Sequence, residues 1–150
     1  MWFFVCCHGA VPNDFVFASD TKSMRSAEFI TAFFLGGNLY IILELIWRGH
    51  SHYTMFFAGG LAFLLLHGAF SGIGTAWPMF FKCLYGSGII TAVEFLTGAL
   101  VNIRLGLNVW DYSALPYNAY GQICLRYSLL WGLLTLPIAG ASALLARLFS

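Results

Sequence analysis

Four apolar runs of bilayer-spanning length leave this chain almost no way to fold in water. They cover about 27–47, 53–74, 78–103 and 122–147. A run of roughly 20 apolar residues matches a hydrocarbon core about 30 Å thick. Inside lipid every backbone polar group must be satisfied within the protein, and a helix does this segment by segment. Hydrophobic residues make up 60% of the 150 positions and charged residues 9%, far below the roughly 25% charged of soluble domains. The expected fold is therefore all-α: a polytopic bundle of four transmembrane helices, one domain over 26–150, with the lipid bilayer as its first partner. A net charge of +1 offers no electrostatic grip on nucleic acid.

The segment ends carry local signals. Ser26 suits an N-cap, and Trp47-Arg48 an interfacial anchor before the polar turn Gly49-His50-Ser51-His52. Gly68 and Gly72 have the spacing that lets helix backbones approach closely. Pro78 suits the first turn of the third segment, Lys82 can snorkel to headgroups, and Pro137 predicts a kink in the fourth. Residues 1–25 read as a tail, poorly ordered or upstream of a true start at Met24. The cluster Cys6-Cys7-His8 and the pair His50, His52 are too sparse for a metal site, and no CxxC pair exists. Lys22, Arg25, Lys82 and Arg147 fall on the side of the termini, and Arg48, Arg104 and Arg126 on the other. That balance, four against three, favours termini inside, and a start at Met24 would level it.

The sharpest chemical signal is Glu94, deep in the third segment. A charge at that depth costs about 2.5–3.5 kcal/mol on insertion scales, so it needs a partner, water or a proton. Ser87, Thr91, Glu94, Gly98 and Asn102 are spaced to share one helix face. Such a face lines an ion or solute site, or acts as hydrogen-bonding glue between helices. Glu44 precedes Arg48 by one turn, the favoured order for an ion pair. Its context, Gly-Gly then an aliphatic run then Glu, parallels that of Glu94, as a duplicated helix pair would. Arg126 and Arg104 are candidate counter-charges for Glu94, with headgroup contact as the alternative for Arg126. His67 reads as a hydrogen-bonded bundle histidine.

Between the third and fourth segments lies an aromatic loop containing Trp110, Asp111, Tyr112, Ser113, Pro116, Asn118 and Gln122. Asp111 can close an Asx turn onto Ser113 or pair with Arg104. The loop is expected to fold over the end of the bundle, as a lid or a rigid connector. The chain has no GxxxxGK[ST], HExxH or GxSxG motif, so nothing nominates ATP hydrolysis, a catalytic metal, a cofactor or a nucleophile. The expectation is a non-enzyme.

The set Glu94-Phe95, Gly98, Asn102, Trp110-Asp111-Tyr112-Ser113, Pro116, Asn118, Gly121-Gln122-Ile123-Cys124 and Trp131 resembles the Putative ABC-transporter type IV family of small bacterial multi-pass membrane proteins. Gly36-Gly37, Tyr40, Glu44, Trp47-Arg48-Gly49, His52 and Thr54-Met55-Phe56 resemble one branch of it. The resemblance covers about Met24 to Trp131. The tail and the stretch from Gly68 to Gly74 depart from the pattern. It implies a permease-like protein of the bacterial cytoplasmic membrane, with any ATPase on a separate chain. Four helices make a thin wall for a pathway, so a homo-oligomer or a partner membrane subunit is expected. The rival reading is a non-transporting interaction or structural subunit. The candidate site comprises Glu94, Glu44, Thr91, Asn102, Arg104 and Arg126, with Trp110, Asp111, Tyr112, Asn118 and Gln122 as its loop.

Overall fold

The computed structural model describes residues 13–150 except Ile73, with side chains from Arg25 onward. Helix α1 runs Asn13–Arg48, α2 Tyr53–Ser71, α3 Met79–Gly98 and α4 Leu125–Leu148. Four stretches are long and apolar enough to cross a membrane: Arg25–Arg48, Tyr53–Ser71, Met79–Arg104 and Leu125–Leu148. The all-α bundle expected from the apolar runs is the fold observed. Helix α1 starts at Asn13, well ahead of its membrane-spanning part. The Cys6-Cys7-His8 cluster lies outside the described residues.

Helix α1 packs chiefly on α2, and α3 on α4, while α2 also touches α3 and α4. Leu66, Phe70, Ile90, Val93 and Trp110 lie in the shared core. Ile46, Phe80, Leu96, Leu129 and Leu133 point outward, as side chains facing lipid should. Lys82 lies over the Phe70 ring and donates to the Thr75 carbonyl, at the start of α3.

Lipid tails are as apolar as leucine, so helices must be joined by close packing and hydrogen bonds. The close approach falls elsewhere than Gly68 and Gly72. A Cβ on Gly68 would meet only Phe29, at 3.7 Å, and Gly72 caps α2. The tight crossing is between Gly36-Gly37 of α1 and Gly59-Gly60 of α2. A Cβ on Gly59 would collide with the Tyr40 Cβ and lie 2.9 Å from the Gly36 carbonyl oxygen. Glycines on one helix gain their close approach only where the facing helix is also bare, which one segment's spacing does not reveal. Farther along, His67 is fully buried and ties three helices: Nδ1 meets Ser142 Oγ of α4 at 2.8 Å, and Nε2 meets Glu28 of α1 at 3.0 Å.

Replacing Gly59 by Val is expected to lower unfolding stability by about 1–3 kcal/mol through overpacking. Gly88→Ala, where an added Cβ meets nothing within 4 Å, is expected to leave it unchanged or slightly raised. Denaturant unfolding of the two purified variants in detergent checks both.

Candidate functional site

The loop after α3 is wired before it docks. Helix α3 gives way at Gly98 to a π-helical turn, Ala99–Arg104, where the apolar run predicts an unbroken helix to Ile103. Leu105 N–H bonds the Leu100 carbonyl at 3.0 Å, the wider i to i+5 spacing. Near its far end the loop makes a hairpin of two short strands, pairing Asn118 with Cys124 and Ala119 with Ile123, and its turn is closed by Gln122 N–H on the Ala119 carbonyl at 3.0 Å. The corner residues Tyr120 and Gly121 have φ of 53° and 69°, the positive pair that matches strand twist. Gly121 also sits so close to Asp111 that a Cβ would lie 2.7 Å from its Oδ1. Asp111 accepts the Ser113 N–H at 2.8 Å and the Ser113 hydroxyl at 2.9 Å. This is the Asx turn and not the Arg104 pair. These two donors hold the exposed Asp111 carboxyl below its usual range, so it stays ionised. Asn118 donates to the Ser113 and Leu115 carbonyls and accepts from Gly121 N–H.

Asn102 then fastens the loop to the bundle. Its Nδ2 donates to the Trp110 carbonyl at 3.0 Å and to Gln122 Oε1 at 2.8 Å, and its Oδ1 accepts from Val109 N–H at 2.7 Å. Trp110 Nε1 donates to the Gln122 carbonyl at 2.9 Å. Gly98 makes room for both: a Cβ there would be 2.5 Å from Gln122 Oε1 and 2.9 Å from the Trp110 ring.

Beneath this loop Glu94 is 5% exposed. Its Oε1 accepts from the Tyr112 hydroxyl at 3.0 Å and its Oε2 from Trp131 Nε1 at 2.7 Å. One donor comes from the loop and one from α4. Burial first, and then the nearby Glu94 charge, raise the Tyr112 pKa, so the phenol keeps its proton and remains a donor. Glu44, 8% exposed, pairs with Arg48 at 2.9 Å and accepts from Ser51 Oγ at 2.6 Å. Arg48 also donates to the Val109 carbonyl at 2.6 Å, joining α1 to the loop.

Between α1 and α4, under the loop, lies a cleft of about 500 Å³. Its polar lining is Glu44, Arg48 and Asp111. Its aromatic lining is Tyr40, Trp47, Trp110, Tyr112, Tyr127 and Trp131. Tyr112 and Tyr127 stack with centroids 4.7 Å apart, and Trp131 continues the wall to Tyr40. Glu94 lies just behind that wall, next to a void of about 10 Å³ that it shares with Tyr40. That is room for about one water at most.

The structure thus gathers Glu44, Glu94, Trp110, Asp111 and Tyr112 around one cleft, and uses Asn102, Asn118 and Gln122 to hold its roof. Thr91 points elsewhere: it donates to Ser128 of α4, as Ser87 does to the Ser128 carbonyl. Arg104 and Arg126 are exposed and pair with no carboxylate among the described residues. The guanidinium of the site is Arg48, because the loop folds onto the end of α1. Tyr40, Tyr127 and Trp131 also line the cleft, outside the candidate set that the sequence suggests. The i, i+4 spacing of Tyr127 and Trp131 was the available signal.

The family described as Putative ABC-transporter type IV matches residues 29–146, spanning all four helices and the loop. The chain belongs to that family. No curated protein and no solved structure matches it. Membership in this transporter-type family and four apolar helices identify a multi-pass membrane protein.

Asn102→Ala removes three hydrogen bonds at once, two of them buried, and is expected to cost about 2–4 kcal/mol of stability. Arg126→Ala, at an exposed position, is expected to cost less than about 0.5 kcal/mol. Equilibrium unfolding in detergent measures both.

Proposed function

We propose that this chain is a permease-like subunit that receives a solute in the cleft between α1 and α4, with Glu44 at its wall and Glu94 behind it. The supporting observation is the cleft itself: about 500 Å³ at one end of the bundle, lined by the buried Glu44 with the buried Glu94 behind it. Buried carboxylates in membrane segments mark substrate or ion pathways by default. The transporter-type family agrees with this reading. Four helices make a thin wall for a pathway, so the chain works with further copies or another membrane subunit, and any ATPase is a separate chain. The basic-residue balance favours termini in the cytoplasm of a bacterial cell. No catalytic role is assigned.

A second reading has an observation of its own. Both oxygens of Glu94 are occupied by Tyr112 and Trp131, and Ser87, Thr91 and Asn102 all bond to α4 or the loop. That is what helix-pairing glue in a structural subunit would look like.

Two substitutions separate the readings. In Glu94→Gln the amide oxygen can still accept from Trp131 and the amide nitrogen can donate to the Tyr112 oxygen. Glu94→Leu leaves the Trp131 N–H unpaired. The solute reading predicts that Glu94→Gln unfolds within about 1 kcal/mol of wild type, while Glu94→Leu loses about 1–3 kcal/mol. It also predicts that a screen of ions and solutes finds a ligand whose stabilisation, about 2.7 kcal/mol at a hundredfold excess over Kd, is diminished in Glu94→Gln. A ligand effect equal in both proteins, or none from any solute, favours the structural subunit.

A further inference from the structure

We infer that the cleft between α1 and α4 selects an organic cation carried on an apolar body. This deepens the solute-cleft reading and rests on it. Three features of the cleft point the same way.

The first is the wall. Tyr112, Tyr127, Trp131 and Tyr40 form a continuous run of rings, with centroid separations of 4.7, 6.4 and 6.2 Å, and Trp47 and Trp110 close it. Aromatic faces carry negative quadrupole potential and attract cations, tryptophan most strongly. They are weak partners for an anion. A wall built only to fill space would need no such concentration of tyrosine and tryptophan; leucine serves that purpose elsewhere in this bundle.

The second is charge. The lining holds two carboxylates, Glu44 and Asp111, against one guanidinium, Arg48. That guanidinium is already engaged, by Glu44 at 2.9 Å and by the Val109 carbonyl at 2.6 Å. An anion entering the cleft would face two negative groups and a guanidinium already paired with one of them. A cation finds rings and carboxylate oxygens that retain spare lone pairs.

The third is the open side. Leu43, Ile46 and Leu130 line the cleft yet are exposed at 41%, 78% and 40%. In a bilayer those surfaces meet lipid tails, so an apolar body reaches the cleft from the membrane while its charged end sits beneath the polar loop. The volume lies within the roughly 300–1,000 Å³ of small-molecule sites. The shared chemistry is an ammonium or phosphonium centre on an apolar body, from a free lipophilic cation or from an amine-bearing lipid headgroup.

The test uses the full chain in lipid nanodiscs, with empty nanodiscs subtracted. The probes are tetraphenylphosphonium and tetraphenylborate, a cation and an anion of nearly the same shape. Saturable binding is read by dialysis. Wild type is expected to bind the cation at least tenfold more tightly than the anion. Glu44→Gln is expected to weaken cation binding at least tenfold. Leu130→Trp, which fills the cleft from a surface position, is expected to abolish saturable binding with the bundle's thermal stability unchanged. Native mass spectrometry then separates the sources. Phosphatidylethanolamine retained by wild type, absent from Leu130→Trp and displaced by tetraphenylphosphonium identifies a lipid headgroup; cation binding with no retained lipid identifies a free cation. Either supports the inference. Tighter binding of tetraphenylborate, lost in Leu130→Trp, overturns the cation assignment and leaves the solute cleft standing. Binding of neither probe, or binding insensitive to both variants, overturns the cation assignment. No stabilising ligand in the solute screen as well removes the cleft with it.

Discussion

A carboxylate deep in a bilayer has to be matched by donors, and Glu94 is matched from two directions at once. Tyr112 reaches it from the loop and Trp131 from α4. The charge costs about 2.5–3.5 kcal/mol at such depth on insertion scales, so the loop cannot drift without exposing the bundle to that penalty. Much of the surrounding architecture serves to deliver Tyr112 to this place. Asn102 anchors both ends of the loop, Asp111 and Asn118 hold its turns, and the Tyr120-Gly121 corner returns the chain into α4. Gly98 gives the Trp110 and Gln122 side chains a flat surface to rest on.

The cleft follows from the same constraint. The bundle is built as two helix pairs, with α1 and α4 meeting only sparsely. Closing the loop over the end of α3 and fastening it to α1 through Arg48 roofs the gap between them. The roof brings its own aromatic rings, and α4 supplies Tyr127 and Trp131 opposite. A cleft thereby arises where a carboxylate needed donors and two helices did not close. The His67 bridge to Glu28 and Ser142 ties α1, α2 and α4 together farther along.

The fold was legible because lipid leaves so few alternatives: run length gives the spans, and helical spacing puts Ser87, Thr91, Glu94, Gly98 and Asn102 on one face. That face does pack inward. The Asx turn at Asp111 and the ion pair of Glu44 with Arg48 were also legible, since both are local. What the sequence hides is long-range. Trp131 lies 37 positions from Glu94, and nothing in either segment states that they meet. The same holds for the glycine crossing, which depends on Gly36 and Gly59 facing one another across two helices. Arg104 and Arg126 looked like counter-charges because guanidinium is the obvious partner for a buried acid. Neutral phenol and indole donors serve instead, and they spare the bundle the desolvation of a second buried ion.

The most direct measurement is a double-mutant cycle between Tyr112→Phe and Glu94→Leu, read as unfolding free energy in detergent. If the Tyr112 hydroxyl and the Glu94 carboxylate hold loop to bundle, the single losses will not add. The coupling will be about 1 kcal/mol or more. Losses that add within about 0.5 kcal/mol would mean that the loop is held by other contacts and that Glu94 does not organise this end of the protein.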